Sequence, residues 1–129
     1  MIEKVLADYL ESQGFGTVGV NIFAERLPEN PDKAIAVVRY SGRAPVMILS
    51  KNIVIEQPSI RVLVRMPSFI ESESLIYQIR DLITRLRNTN LDNLYILGIL
   101  PLGSPAILER DGKDRVIMFC NLDVAYTIS

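Results

Sequence analysis

From Leu75 to Leu86 the residues Leu75, Ile76, Ile79, Leu82, Ile83 and Leu86 recur at helical spacing and form one unbroken apolar stripe. A helix with a single apolar stripe must lay it against another element, so this segment fixes one wall of a core. Ser68 and Glu71 precede it as an S-x-x-E capping box, in which each side chain satisfies a free backbone amide of the first turn. Glu71 and Glu73 stand at its start and Arg80, Arg85 and Arg87 towards its end, as the helix dipole favours. Asp81 and Arg85, four apart, are expected to pair. A second helix is read at the amino end, where Ile2, Val5, Leu6, Tyr9 and Leu10 share one face and Glu3, Lys4, Asp8 and Glu11 the other. Gly14 and Gly16 end it, since glycine takes the left-handed conformation that closes a helix.

The remaining apolar segments have strand character. Val18 to Glu25 is expected as a first strand, and Arg26 to Asp32, with two prolines, as a loop. Lys33 to Tyr40 is a second strand, and Ser41-Gly42-Arg43-Ala44-Pro45 is read as a turn. Two apolar runs follow, Val46-Met47-Ile48-Leu49 and Ile53-Val54-Ile55, split by Ser50-Lys51-Asn52. After Gln57-Pro58 the chain alternates, with Ile60, Val62, Val64 and Met66 on one side and Arg61, Leu63 and Arg65 on the other. Leu94 to Leu100 is a further strand, Pro101 to Leu108 a loop, and Asp111-Gly112-Lys113-Asp114 a turn leading into a long strand from Arg115 to Ile128. This order predicts an α+β fold, a largely antiparallel (mixed) sheet with both helices packed on one face, in a single domain over residues 1–129. A chain of this length can bury about two-thirds of its surface, enough for a core without disulfides or metals.

The composition removes most chemistry. Histidine is absent and Cys120 is the one cysteine, so neither a His-dependent triad or dyad nor a His- or four-thiolate zinc site can be built. Fourteen basic residues against fifteen acidic ones leave a net charge of -1, without the basic field of a duplex-DNA reader. No apolar run is long enough to span a membrane, and the amino end lacks the order of a signal peptide, so an origin in the cytosol is expected. Gly14-Phe15-Gly16-Thr17-Val18-Gly19 spells G-x-G-x-x-G, but it follows a helix and leads to a strand, the reverse of a nucleotide-binding loop. Glu109, Asp111 and Asp114 flank an Asp-Gly turn and are fewer than a hard cation needs. Ser50-Lys51 and Ser104 are weak nucleophile candidates, and Cys120, between Phe119 and Asn121, reads as an inert buried thiol. Arg61, Arg65, Arg80, Arg85 and Arg87 are the basic concentration, for which a phosphate contact competes with simple dipole and ion-pair roles.

One feature does not suit a lone chain. If both helices cover one face of the sheet, the other should be polar, yet Leu63, several of Tyr95, Leu97 and Ile99, and Ile117 and Phe119 compete for it. Val46 to Leu49 adds an apolar segment resembling an arm, a hazard when left uncovered. Loops could cover this surface, or a partner chain could.

Asn21-Ile22-Phe23-Ala24-Glu25-Arg26-Leu27-Pro28 followed by Pro31-Asp32-Lys33-Ala34-Ile35-Ala36-Val37, then Pro58-Ser59-Ile60-Arg61-Val62-Leu63-Val64-Arg65, then Ser104-Pro105 before Asp111 and Arg115 to Asn121, together resemble the small tail-terminator or minor-capsid proteins of tailed bacteriophages. The likeness spans nearly the whole chain and rests on turns and strand ends. One departure is Ser41-Gly42, where a Gly-Gly type of turn is expected, which leaves the shape of Ser41 to Gln57 open. The resemblance implies a virion component without catalytic, cofactor or metal-binding residues. It implies a ring of identical subunits, a hexamer, which caps the tail tube, ends tail elongation and joins the tail to the head-completion or neck protein. Double-stranded DNA would pass through the ring without being read. The protein would be assembled in the bacterial cytoplasm and reside at the tail end of the virion, with no membrane partner. In such a ring Val46, Met47, Ile48 and Leu49 are the expected oligomer contact, with Leu102 and Ile107 as second contacts. The alternatives are another neck, head-completion or tail-assembly component, or a small α+β ligand-binding domain or enzyme using Arg61, Arg65 and a carboxylate.

Overall fold

The computed structural model describes residues 1–128. Helix α1 spans Ile2–Ser12 and α2 spans Phe69–Ile83. The strands are β1 (Ile22–Ala24), β2 (Ala34–Ile48), β3 (Ile53–Met66), β4 (Thr89–Leu91), β5 (Leu94–Pro101), β6 (Ala106–Arg110) and β7 (Val116–Ile128). They form one curled sheet in the order β1-β2-β3-β7-β5-β4. β6 shares with β5 the edge of β7 that β3 leaves free. β1 runs parallel to β2 and the other pairs are antiparallel, so the α+β expectation of a mixed, mainly antiparallel sheet holds.

Register explains the core. Val62 stands opposite Val37 and Cys120, Val64 opposite Ile35 and Met118, and Ile60 opposite Leu122. Side chains of one parity leave the same face of a sheet, and these rows pack with Ile2, Leu6 and Leu10 of α1 and Ile76, Ile79 and Ile83 of α2. Each such aliphatic side chain contributes about 1.5–3 kcal/mol on full burial. Leu75 and Leu82 flank the stripe at half depth. Helix α1 closes as a Schellman motif. Phe15 N–H donates to Leu10 O at 3.1 Å and Gly14 N–H to Glu11 O at 3.0 Å, with Gly14 at φ +88°. Helix α2 begins at Ser68, whose Oγ accepts the Glu71 N–H at 3.3 Å. The box is only half reciprocal, because the Glu71 carboxylate takes the Ser68 hydroxyl at 2.9 Å. Ser72, fully buried, donates to Val116 O at 2.8 Å and pins α2 to the start of β7.

Several expectations are corrected. Strand Val18–Glu25 shrinks to Ile22–Ala24, because the Thr17 carbonyl accepts N–H groups from Val20, Asn21 and Ile22 and winds the preceding residues into a turn. Asp81 pairs with Arg80 at 3.0 Å rather than with Arg85, since Arg80 lies over the Tyr77 ring and reaches it first. Residues 101–108 are not one loop. After Leu102-Gly103-Ser104-Pro105 the chain re-enters the sheet as β6 and continues the line of β5 along β7. The largest change concerns Ser41 to Pro45, which is no turn. β2 runs through it unbroken, with Gly42 paired opposite Pro58, and two register shifts, at Arg39/Ser41 and Arg43/Val46, take up Tyr40 and the Ala44-Pro45 step as bulges.

The second face of the sheet is partly covered from within. A segment through Pro28, Pro31 and Asp32 is held by two buried arginines, Arg65 and Arg115. Arg65 donates from Nη1 to Pro28 O at 2.6 Å, from Nη2 to Pro31 O, and from Nε to Asp32 O at 3.3 Å. Arg115 donates from Nε to Asp111 Oδ2 at 2.8 Å and from Nη1 to Glu29 O at 2.7 Å and Asp32 Oδ1 at 3.1 Å. Burial, and then the neighbouring Arg115, pull Arg65 below the usual guanidinium value. Ile99 leaves the second face altogether, because a bulge at Leu97 reverses the parity of β5 and turns it into the core.

Asp111 accepts N–H groups from Lys113 and Arg115, both at 3.0 Å, besides the Arg115 guanidinium. Partial burial acts to raise its pKa, and these bonds outweigh it, holding the carboxyl below the ordinary value of 3.8. The folded chain therefore binds fewer protons at this site than the unfolded chain. The stabilisation is complete above the ordinary Asp pKa and is lost as pH falls through the lower folded value. Urea midpoints measured from neutral pH into the acid range should decline more steeply for the wild type than for Asp111→Asn, and parallel declines would remove Asp111 from this role.

Candidate assembly surfaces

Beyond Arg43, β2 and β3 leave the body of the sheet as a two-stranded arm. Val46 pairs with Ile55, Met47 with Val54 and Ile48 with Ile53, while the pairing of β3 with β7 ends at Glu56↔Tyr126. The β-branched and long apolar side chains here favour the extended ladder. A 3-10 turn at Leu49–Lys51 reverses the chain, closed by Asn52 in the left-handed conformation that Asn tolerates. At the base Gln57 Nε2 donates to Ala44 O at 2.9 Å, and Arg43 meets Asp123 at 3.7 Å. The four steps from Ala44 to Ile48 extend about 13 Å.

Every residue from Arg39 to Val54 is exposed. The structure thus brings Val46, Met47, Ile48 and Leu49 together on the arm, with Leu49 at its tip 84% exposed and Met47 60%. Between the arm and the ends of β5 and β7 lies a cleft of about 580 Å³, lined by Ile48, Ile53, Ile55, Tyr95, Leu97 and Ile128 among others. Tyr95 and Leu97, assigned to a surplus second face, line this cleft.

Leu102 and Ile107 lie elsewhere. Leu102 N–H donates to Asn121 O at 2.9 Å, and Ile107 pairs with Met118 in β6. They join Leu100, 67% exposed, and the half-exposed Leu108 to make a second apolar strip along the outer side of β5 and β6. Leu100 and Leu108 belong to this exposed strip, and sequence reasoning did not single them out. The five-residue run Ala106–Arg110 is too short to show a period, and only its pairing with β7 places it in the sheet.

The other candidates resolve into structural roles. Gly14, Gly16 and Gly19 lie between α1 and β1, in the closing turn of the helix and the loop after it. The Asp111 carboxylate is taken up by Arg115 and two amides, and Glu109 points to no shared oxygen cluster with it among the described residues. Ser50 and Lys51 sit in the exposed 3-10 turn at the tip of the arm. Cys120 is buried, which pushes its thiol up, with Arg80 acting weakly the other way. The arginines are not one patch. Arg65 is locked inside, Arg61 is stacked between Tyr40 and Phe119 with its Nε on Asn121 at 2.8 Å, and Arg80 packs on Tyr77 of α2.

Two exposed apolar stretches of strand on one well-packed sheet are the surfaces of this chain that a solitary domain would blunt. A family model described as bacteriophage tail terminator protein matches residues 9–128, and the chain belongs to that family. It is a family of structural virion proteins rather than enzymes, and the protein is a structural component of the phage tail. No curated protein matches the chain. Among solved structures, a chain in the virion of a native gene transfer agent particle is 11% identical with a TM-score of 0.58, over 84% of this chain and 80% of that one. At that identity the likeness establishes the shared fold.

Proposed function

We propose that this protein, acting as a single domain over residues 1–129, assembles into a closed ring, a hexamer, on the end of the tail tube. The ring stops tube growth and presents its free side to the head-completion or neck protein, and double-stranded DNA passes through its opening without being read. It would be assembled in the host cytoplasm and retained at the tail end of the virion. The observation that carries this reading is the arm. Val46, Met47 and Leu49 are exposed on a hairpin that projects from the body, and Ile48 lines the open cleft beside it. Apolar surface of this kind is stable in water only when a neighbour buries it. Leu102 and Ile107 supply apolar surface at a different place, and a ring requires two such unlike surfaces on every subunit. The near-neutral chain, with a net charge of -1, suits a DNA conduit that must not hold its cargo.

Native mass spectrometry over a series from low to high micromolar tests the proposal. A discrete species at six times the 14.5 kDa chain mass is the expected result. A ladder of undefined oligomers, or a monomer both free and on isolated tail tubes, would remove the ring and favour a monomeric neck adaptor.

A further inference from the structure

The arm and the β5–β6 strip are free edges of one sheet, and they face opposite ways. β1 pairs with β2 only up to Ala24↔Val37, so from Val38 outward the far side of β2 has no strand partner among the described residues. β6 pairs with β7 on one side, and among the described residues no backbone bond reaches its other side. In the sheet order the first edge faces the β1 side and the second the β4 side. Neither edge carries a charge at its centre, and the bulge at Leu108 leaves β6 paired with β7 on both sides of it. Val46, Met47 and Ile48 carry no charge, and Ile107 and Leu108 precede the charges of Glu109 and Arg110.

We propose that the arm of one copy adds to the sheet of the next, with Val46–Ile48 hydrogen-bonding as an extra strand along the outer edge of β6 at Ala106–Arg110. This deepens the ring reading and rests on it. Strand addition takes its affinity from the backbone ladder and its selectivity from alternate side chains, so a three-to-five-residue window flanked by apolar residues suffices as the core of a contact.

Several observations identify the occupant as a second copy. A proline precedes each window, Pro45 before Val46 and Pro105 before Ala106, so both begin where the backbone recovers its donor. The reach also fits. The arm window pairs opposite Ile53–Ile55, just past Glu56↔Tyr126, whereas β6 pairs around Met118. That offset of roughly nine ladder steps is about 30 Å. It keeps the arm from its own β6, and it is close to the diameter of ~36 Å expected for a chain of this length from its radius of gyration. Charge agrees as well. From Ala44 to Ile55 the arm carries Lys51 and no carboxylate, Arg43 at its base being held by Asp123, while neither Lys51 nor Glu109 on β6 has an ion-pair partner among the described residues. An edge that pairs with a different edge makes a head-to-tail contact, which every copy offers on both sides and which a rotation closes into a ring.

Paired cysteines and hydrogen exchange test this together. Met47→Cys is combined in turn with Ile107→Cys and with Leu108→Cys, covering both faces of β6, and Cys120 is buried and stays out of the reaction. Neighbouring strands place Cα atoms about 4.5–5.5 Å apart, within disulfide range. One of the two pairs is expected to give, on oxidation, a covalent ladder up to the size of the ring. Amide exchange in the ring should slow at least tenfold at Val46–Ile48 relative to monomeric Leu108→Asp, and at Ala106–Arg110 relative to monomeric Ile48→Asp. Rings that neither cross-link nor show slowed exchange overturn the strand pairing and leave the ring reading intact. Cross-links without slowed exchange also overturn it, since they report side-chain contact without a ladder. Cross-linked open chains that never close uphold the pairing and remove the ring. A chain that stays monomeric without cross-links overturns both.

Discussion

Arg115→Ala should lower the stability of the folded chain by about 3 kcal/mol, a fall in Tm of roughly 10 °C for a domain of this size. The residue is 5% exposed and ties two separate segments to the start of β7: the turn before it, through Asp111, and the loop that covers the second face of the sheet, through Glu29 and Asp32. Removing it leaves the Asp111 carboxylate without its guanidinium partner and the Glu29 carbonyl without its donor. It also frees the covering loop, which Arg65 alone would then hold. Breaking a buried pair from one side costs about 3–5 kcal/mol, and the lower end applies because Asp32 is well exposed. Arg115→Lys, which keeps the charge but not the planar fork, should recover less than half of the loss. Chemical denaturation of the three proteins at neutral pH decides it, and a loss below 1 kcal/mol for Arg115→Ala would mean that the loop is held in some other way.

The second large effect is on assembly. Ile48→Asp should leave the monomer folded, with a Tm within about 2 °C of the wild type, because surface changes clear of special features are nearly neutral. Ile48 projects from the arm rather than from the core, and its exposure agrees with that. In a ring the same carboxylate would be buried without a partner, at a cost of several kcal/mol. That is a loss of at least a hundredfold in the association constant for each contact. Native mass spectrometry should therefore show the 14.5 kDa monomer at concentrations where the wild type is assembled. Ile48→Val, which keeps the apolar surface, should still assemble. Assembly by Ile48→Asp at wild-type concentrations would remove the arm from the interface.

Much of the fold is legible in the chain because it is written in local terms. The stripe from Leu75 to Leu86 declares a helix and its buried side, Ser68 marks its start, and Gly14 marks the end of α1. The alternation from Ile60 to Met66 declares a half-buried strand and identifies which side meets the helices. The family itself is legible in the order of its turns and strand ends. Less legible is anything that depends on a partner distant in sequence. Ser41 to Pro45 has the composition of a turn, and it becomes strand because β3 offers a ladder with two places to bulge. Ala106–Arg110 carries no period of its own and is strand because β7 runs beside it. Ile99 changes face because of a single bulge at Leu97, which alternation cannot foresee. The two buried arginines look like surface charges in the sequence, and only the loop folded over them supplies the carbonyls that make their burial tolerable.

By itself, then, the sequence determined the α+β class, the end of α1 and the start of α2 (though not its end, which falls at Ile83 and leaves Arg85, Leu86 and Arg87 beyond the helix), the core face of β3, the absence of histidine chemistry and the presence of apolar residues at Val46 to Leu49 without a local use. These follow from periodicity, capping and composition, which act over a few residues. Tertiary structure alone decided that those residues form a long hairpin arm, that Leu100, Leu102, Ile107 and Leu108 line a second open edge, and that the two edges face opposite ways. Which edge of a strand is left free depends on the strands beside it, and that pairing is settled by long-range packing rather than by any local run of residues.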